Sequence, residues 1–184
     1  MSTTFPRVRN SRRGYNIDQV EDFLEDARQA YGAEPGALSP LNAETIRTMA
    51  FAMQKGGYST THVDAALERL EDAFATRERD RAFAHPGGDV NWYNQARSTA
   101  QVILDRLDRP AGGKFARVGM LTTGYHPKDV DEFGLRLVEY FQKGQPMSIE
   151  DVRTVAFRSV KRGYNETQVD LLLDTVTKVM LAVR

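Results

Sequence analysis

The chain has no cysteine among its 184 residues, so disulfide frameworks, thiolate nucleophiles and cysteine-held metals are excluded. Its three histidines, His62, His85 and His126, are scattered and show no metal-ligand spacing. It has no net charge, with 25 basic side chains against 25 acidic ones, which removes the whole-protein electrostatic case for nucleic acid. No apolar run approaches the roughly 18 residues of a membrane span. The N-terminus is basic with no apolar segment behind it, so it does not read as a secretory leader, and the expected compartment is the cytoplasm. Chemistry-bearing motifs are also missing. Gly112-Gly113-Lys114 lacks the Ser/Thr and the leading Gly of a phosphate loop, and no Ser/His/Asp set stands out. The expectation is a protein that is not an enzyme, with no cofactor, no metal and no small-molecule substrate.

What the chain does have is an internal repeat. Gly-Tyr, followed by Val six residues after the Gly and then by an acid, occurs four times: Gly14-Tyr15 with Val20-Glu21, Gly57-Tyr58 with Val63-Asp64, Gly124-Tyr125 with Val130-Asp131, and Gly163-Tyr164 with Val169-Asp170. Copies one and three share an upstream Phe-x-Arg-Val, at Phe5 to Val8 and Phe115 to Val118. Copies two and four share a longer lead-in, residues 41–51 and 147–157, each ending in a Phe six residues before the Gly. The order is therefore odd-even, odd-even, as if a two-copy block had been duplicated. A fixed repeat of this kind says that one small unit has been reused, and such units usually present surfaces to partners.

Each Gly-Tyr introduces a helix. Asn16, Ser59 and Asn165 are suited to the N-cap, with Gln19, His62 and Gln168 three residues on, as in a capping box. The third copy has His126 at the cap and Pro127 at the first helical position, where its missing N–H costs nothing. Glu21, Asp64, Asp131 and Asp170 would favour the positive end of the helix dipole. The glycines are expected at positive φ, ending the preceding turn, with each Tyr ring folded back and its hydroxyl at the surface. Along the helices an apolar seam recurs at spacing 4, 3, 4. It comprises Val20, Leu24, Ala27 and Tyr31; Val63, Leu67, Leu70 and Phe74; Val130, Gly134, Leu137 and Phe141; and Val169, Leu173, Val176 and Met180. The even copies carry a further helix before the Gly, capped by Asn42 or Ser148. Residues 33–40 read as a loop. After the break at His85-Pro86-Gly87-Gly88, Asp89 can cap a connector helix faced by Trp92, Ala96, Ala100, Ile103 and Leu107, with the lone Trp expected as a core anchor.

The fold class expected is all-α: four Gly-Tyr-helix units in two duplicated blocks, with short amphipathic or coiled-coil-like helices packed as a pseudo-twofold bundle. The blocks are residues 1–84 and 115–184, joined by a connector helix and Gly-rich linker at 85–114.

The run Arg-Gly-Tyr-Asn-x-x-Gln-Val-acid resembles the DivIVA-type domain of bacterial cell-division and polar-growth scaffolds. The fourth copy carries it from Met147 through Arg162-Gly163-Tyr164-Asn165 to Val169-Asp170. The first carries it from Phe5 through Arg13-Gly14-Tyr15-Asn16 to Gln19-Val20-Glu21. The resemblance covers roughly two thirds of the chain. It implies a small unit that pairs as a parallel dimer on a long coiled coil, and peripheral membrane binding through an apolar residue and an Arg just before the Gly. This chain has no heptad run beyond about two heptads. The position two before the Gly, where the family carries its inserting aromatic, holds Arg12, Lys55, Thr122 and Lys161.

The function expected is a non-enzymatic protein–protein interaction or scaffold module linked to bacterial cell division or envelope growth. Its partner would be another protein, or a second copy in a homodimer, gripped along the seams. Weak contact with anionic membrane is expected through Arg7, Arg9, Arg12 and Arg13, giving a peripheral place at the inner face of the cell membrane. The alternative is a helix-turn-helix-like nucleic-acid-binding protein using the same basic arm. Against it stand the zero net charge and the acids that open the second helices.

Overall fold

The computed structural model describes residues 5–33 and 41–184; most of the loop expected at 33–40 lies outside the described residues. The chain divides into two compact units, Met1–Pro86 and Gly87–Arg184. The first holds β1 (Arg13–Tyr15), α1 (Ile17–Gly32), α2 (Ala43–Arg47), β2 (Met53–Lys55) and α3 (Thr60–Phe83). The second holds α4 (Gly88–Leu107), β3 (Thr123–Tyr125), α5 (Pro127–Lys143), α6 (Ile149–Arg153), β4 (Ser159–Lys161) and α7 (Glu166–Val183).

The protein is mostly helical, but each unit also has a small antiparallel sheet. β1 pairs with β2 in the register Arg13 to Lys55, Gly14 to Gln54 and Tyr15 to Met53. β3 pairs with β4 in the register Thr123 to Lys161, Gly124 to Val160 and Tyr125 to Ser159. This corrects the expectation of four equivalent glycine-to-helix junctions. Gly14-Tyr15 and Gly124-Tyr125 lie inside strands, whereas Gly57-Tyr58 and Gly163-Tyr164 follow one.

Capping explains where the helices start. The side chain of Asn16 accepts from Gln19 N and that of Asn165 from Gln168 N, satisfying amides that have no partner within the helix. Asn42 and Ser148 form complete capping boxes with Thr45 and Asp151. Ser59 makes no such bond; its Oγ pairs with His62 Nδ1 at 2.9 Å instead.

The seams turn inward except at Tyr31, which is exposed. Val20, Ala27, Val63, Phe74, Val130, Leu137, Val169, Val176 and Met180 are buried, and Leu24, Leu67, Leu70, Phe141 and Leu173 half-buried. In the first unit the far ends of α1 and α3 meet through Tyr31 and Phe74, whose ring centroids are 5.4 Å apart. α2 is tied to α3 by a shielded ion pair, Arg47 Nε to Glu71 Oε1 at 2.7 Å. In the second unit Leu137, Val152, Val176, Val179 and Met180 form a core with Phe133.

Ile103 and Leu107 of α4 belong to that same core, so the helix expected as a connector within 85–114 packs into the second unit, which begins at Gly87. Gly134 explains how α4 comes so close. A Cβ there would meet Leu107 Cδ2 at 3.0 Å, so a larger residue would require the Leu107 side chain to give way. The buried Lys114 holds the far end of α4, its ammonium donating to the carbonyls of Leu107 and Arg109. Trp92 is half-buried rather than a core anchor. Its indole N–H donates to the carbonyl of Ala182 at 2.9 Å and ties the start of α4 to the end of α7.

Candidate functional site

Within each unit the odd and even Gly-Tyr copies face one another. Tyr15 and Tyr58 exchange both main-chain bonds, N–H to O=C, at 2.9 Å each way. Tyr125 and Tyr164 do the same at 3.0 and 2.8 Å. This explains the glycines. A Cβ on Gly14 would lie inside 3.0 Å of the Tyr58 carbonyl, and one on Gly57 inside 3.0 Å of the Tyr15 carbonyl. A Cβ on Gly124 would lie inside 3.0 Å of the Tyr164 carbonyl, and one on Gly163 inside 3.0 Å of the Gly124 and Tyr125 carbonyls. None of the four has positive φ; among the described residues that conformation falls on Gly56, Gly87, Gly112, Gly144 and Arg162, so in both even copies it sits on the residue before the motif glycine. The expected reason for the motif glycine is therefore corrected, from backbone conformation to the close approach of two main chains.

The rest of the motif is spent across the same junction. The Phe upstream of each Gly packs edge-on against the Tyr of the opposite copy. The pairs are Phe5 with Tyr58, Phe51 with Tyr15, Phe115 with Tyr164 and Phe157 with Tyr125, at 5.5, 5.4, 5.3 and 5.2 Å between centroids. The residue after each Phe offers its carbonyl to the opposite cap residue. Ser59 N donates to Pro6 O, Asn16 N to Ala52 O, Asn165 N to Ala116 O and His126 N to Arg158 O, all within 2.7–2.8 Å.

The acids complete the exchange. Tyr58 Oη donates to Glu21 Oε1 at 2.5 Å and Tyr164 Oη to Asp131 Oδ1 at 2.9 Å. Beyond burial, Asp64 raises the pKa of Tyr15 and Asp170 that of Tyr125, so each Tyr is set against the acid of the opposite copy. Two expectations are corrected here. The hydroxyls are not all at the surface, since Tyr58 and Tyr164 are fully buried, and Glu21 and Asp131 accept from those two hydroxyls.

Burial and a facing carboxylate both disfavour a tyrosinate. Burial, then the charge of Asp170, pushes the Tyr125 phenol up to about 12. Burial, then Asp64, raises Tyr15; the hydrogen bond to Glu21, then burial, raises Tyr58; burial, with Asp131 adding, raises Tyr164. A raised pKa contributes stability that is whole below the ordinary value near 10 and is lost as pH rises through the folded value. We expect alkaline titration to leave the fold intact to about pH 10 and to destabilise it above that, with the absorbance of the four junction tyrosines rising together with loss of helix. Titration of all 7 tyrosines near 10 with the helix intact would contradict this.

The sequence-predicted residues are thereby sorted. Gly14, Tyr15, Gly57 and Tyr58 meet in one junction, and Gly124, Tyr125, Gly163 and Tyr164 in the other. The seam residues lie beneath them. The basic arm is not free. Arg7 bridges to Tyr58 along the main chain and Val8 N donates to Gly57 O at 2.9 Å, while Arg9 and Arg12 close a turn before Arg13 enters β1. Arg7, Arg9, Arg12 and Arg13 all keep exposed side chains. The helix-turn-helix expectation is corrected too, because the segment between α2 and α3 carries strand β2 and α2 is only 5 residues long.

Sequence reasoning missed the four Phe and four acid contacts, although their constant offsets marked them. It also missed an apolar turn tip. Met120 is 67% and Leu121 93% exposed, where Thr122 N closes a turn onto Gly119 O. The equivalent turn of the first unit carries Asn10, Ser11 and Arg12. No family model, curated protein or solved structure matches the chain. No helix among the described residues is long and apolar enough to cross a membrane.

Proposed function

We propose that this protein is a non-enzymatic interaction or scaffold module of bacterial cell division or envelope growth, built from DivIVA-like halves that pair inside one chain. The observation that carries this reading is the reciprocal junction. The residues behind the family resemblance, Gly, Tyr and the acid after Val, are the ones engaged across it, together with the upstream Phe. Their hydroxyls, carboxylates and main chains satisfy one another, which is the use expected of a pairing device. Duplication of the two-copy block gives two such devices in tandem, a pseudo-twofold arrangement in the sequence. The outer faces then remain for a protein partner. A fluorescent fusion of the full chain, imaged in dividing cells of its host, should gather at the septum or the poles. A uniform cytosolic signal at all stages of division would sink the reading.

Peripheral membrane contact belongs to the same proposal, with its residues revised. A cation on a turn gains about 1 kcal/mol near anionic lipid and is screened by salt, whereas inserted apolar side chains add burial that salt does not screen. Met120 and Leu121 supply such side chains. Lys161 faces Thr123 across the β3–β4 ladder, and Arg162 N donates to Thr122 O at 3.3 Å, so cations stand beside the tip. Co-sedimentation with anionic liposomes should fall at least about tenfold in Met120→Ser/Leu121→Ser, since burying each side chain is worth about 1.5–3 kcal/mol. Neutralising Arg9, Arg12 and Arg13 should cost less and lose its effect at high salt. Equal binding by the Ser variant and the parent would remove the tip from the account.

A further inference from the structure

The core of each junction is chemically the same. Phe, Gly, Tyr, Val and an acid appear in all four copies, so these residues cannot tell one half from another. One contact at the rim does vary, and it varies in matched fashion. It joins the residue five after the Gly to the main-chain N–H of the residue after the opposite Phe.

Gln19 Oε1 accepts from Ala52 N at 2.8 Å, and Gln168 Oε1 accepts from Ala116 N at 3.0 Å. Asp129 takes three bonds from Arg158. The main-chain N is 3.2 Å from Oδ2, Nε is 2.8 Å from Oδ2, and Nη2 is 2.5 Å from Oδ1. This guanidinium holds the Asp129 carboxyl well below the usual carboxylate range. The fourth position faces Pro6, which has no N–H to give. There the chain places His62 in place of Gln or Asp, and His62 turns to its own cap residue, Ser59. So an acceptor stands wherever a donor is offered, a charged acceptor stands against the one cationic side chain, and the acceptor is withdrawn at the proline.

The geometry points to a pairing code: Pro6/His62 and Ala52/Gln19 in the first unit, and Ala116/Gln168 and Arg158/Asp129 in the second, direct each odd half to its own even half. A wrong pairing breaks the match. If the first odd half met the second even half, Gln168 would face Pro6 and Arg158 would lose Asp129. If the second odd half met the first even half, Asp129 would lose Arg158 and Ala116 N would face His62. An odd half meeting its own copy in a second chain would set Gln19 against Pro6. Each mismatch gives up a bond that the correct partner makes. These rim groups are exposed, so water takes its place and the net worth of that bond is what is lost. The code rests on reading the halves as pairing modules, but it acts inside the chain and stands whether or not an outer partner exists.

The absence of cysteine allows a direct test on the full chain. Arg13→Cys, Lys55→Cys, Thr123→Cys and Lys161→Cys place thiols at exposed, register-paired strand positions. Antiparallel partners lie about 4.5–5.5 Å apart at Cα, within disulfide reach. The protein is unfolded, refolded, oxidised and its bridges mapped by mass spectrometry. With the native code, 13–55 and 123–161 bridges should dominate. Gln19→Asp/Ala52→Arg then gives the first unit the charged key of the second while leaving every rim contact matched. It should fold, yet raise 13–161, 55–123 and interchain bridges at least about fivefold, the equilibrium factor for one hydrogen bond of about 1 kcal/mol. Asp129→Arg should likewise divert bridging. Asp129→Gln/Arg158→Ala, which gives this contact the neutral key of the Ala52/Gln19 and Ala116/Gln168 contacts, should restore native bridging to the level of the re-keyed chain. Native bridges retained unchanged in the re-keyed chain, or no rescue by the neutral pair, would overturn the code.

Discussion

Gly124→Ala is expected to destabilise the second unit by about 3–5 kcal/mol, among the largest effects of a single methyl group. The added Cβ would sit inside 3.0 Å of the Tyr164 carbonyl, and backbone on both sides leaves nothing flexible to yield. The only relief is separation of the two main chains. That lengthens the paired Tyr125 and Tyr164 bonds and pulls each hydroxyl from its acid. The single tryptophan, Trp92, lies in this unit and reports on it through its bond to Ala182. In urea, with a slope of about 1–3 kcal/mol per M, the Trp-monitored midpoint should fall by at least about 1 M. Gly119→Ala is the control within the same unit. Its new Cβ would meet only Thr122 Oγ1 at 3.9 Å, an ordinary contact, and the change should be close to neutral. If Gly124→Ala behaves like Gly119→Ala, the close approach of the chains is wrong.

Tyr164→Ala should cost a similar 3–5 kcal/mol, by a different route. The side chain is fully buried and its ring packs against Phe115. The Arg117 guanidinium stands 4.9 Å over the ring. Its hydroxyl donates to Asp131 and accepts from Lys114 N at 3.2 Å. Tyr164→Phe separates the two contributions. It keeps the ring but leaves an Asp131 oxygen and the Lys114 amide without this partner, for about 1–3 kcal/mol. Asp131→Asn should recover part of that loss in the Phe background, because a neutral amide is less costly to leave unpaired than a carboxylate. Denaturation curves for the three variants give the comparison. Equal stability of Tyr164→Phe and the parent would mean that the hydroxyl–acid exchange contributes nothing.

The helices were legible in the sequence because their signals are local. Asn16 and Asn165 announce their helices within three residues, but the capping boxes expected there and at Ser59 do not form, since Gln19 and Gln168 turn to the opposite copy. The boxes stand at Asn42 and Ser148 instead. The seams were legible through period alone, and Val20, Val63, Val130 and Val169 are all buried. The strands were not, because each has three residues and pairs with a segment about 40 residues away. No local pattern encodes Gly14 opposite Gln54. The junction glycines misled for a related reason. A glycine at the end of a turn most often signals positive φ, and only the opposite chain reveals that space is what it supplies. The acids were assigned to the helix dipole because their hydrogen-bond donors come from another copy. The seat of α4 turns on one residue. Gly134 stands where the first unit has Leu24, and a lone glycine in an apolar seam gives no sign of what will cross it.

The reciprocal junction also bears on how such a chain can lengthen. A copy added singly would have no opposite main chain for its glycine, no ring for its phenylalanine and no carboxylate for its tyrosine. A pair brings its own complement and can fold as soon as it is made. Growth by whole pairs is therefore the step that leaves no half stranded, and parity becomes a physical property of the chain. The four copies stand in odd-even order, and each meets its complement inside its own unit. A descendant with three should exist only where a second molecule supplies the missing half.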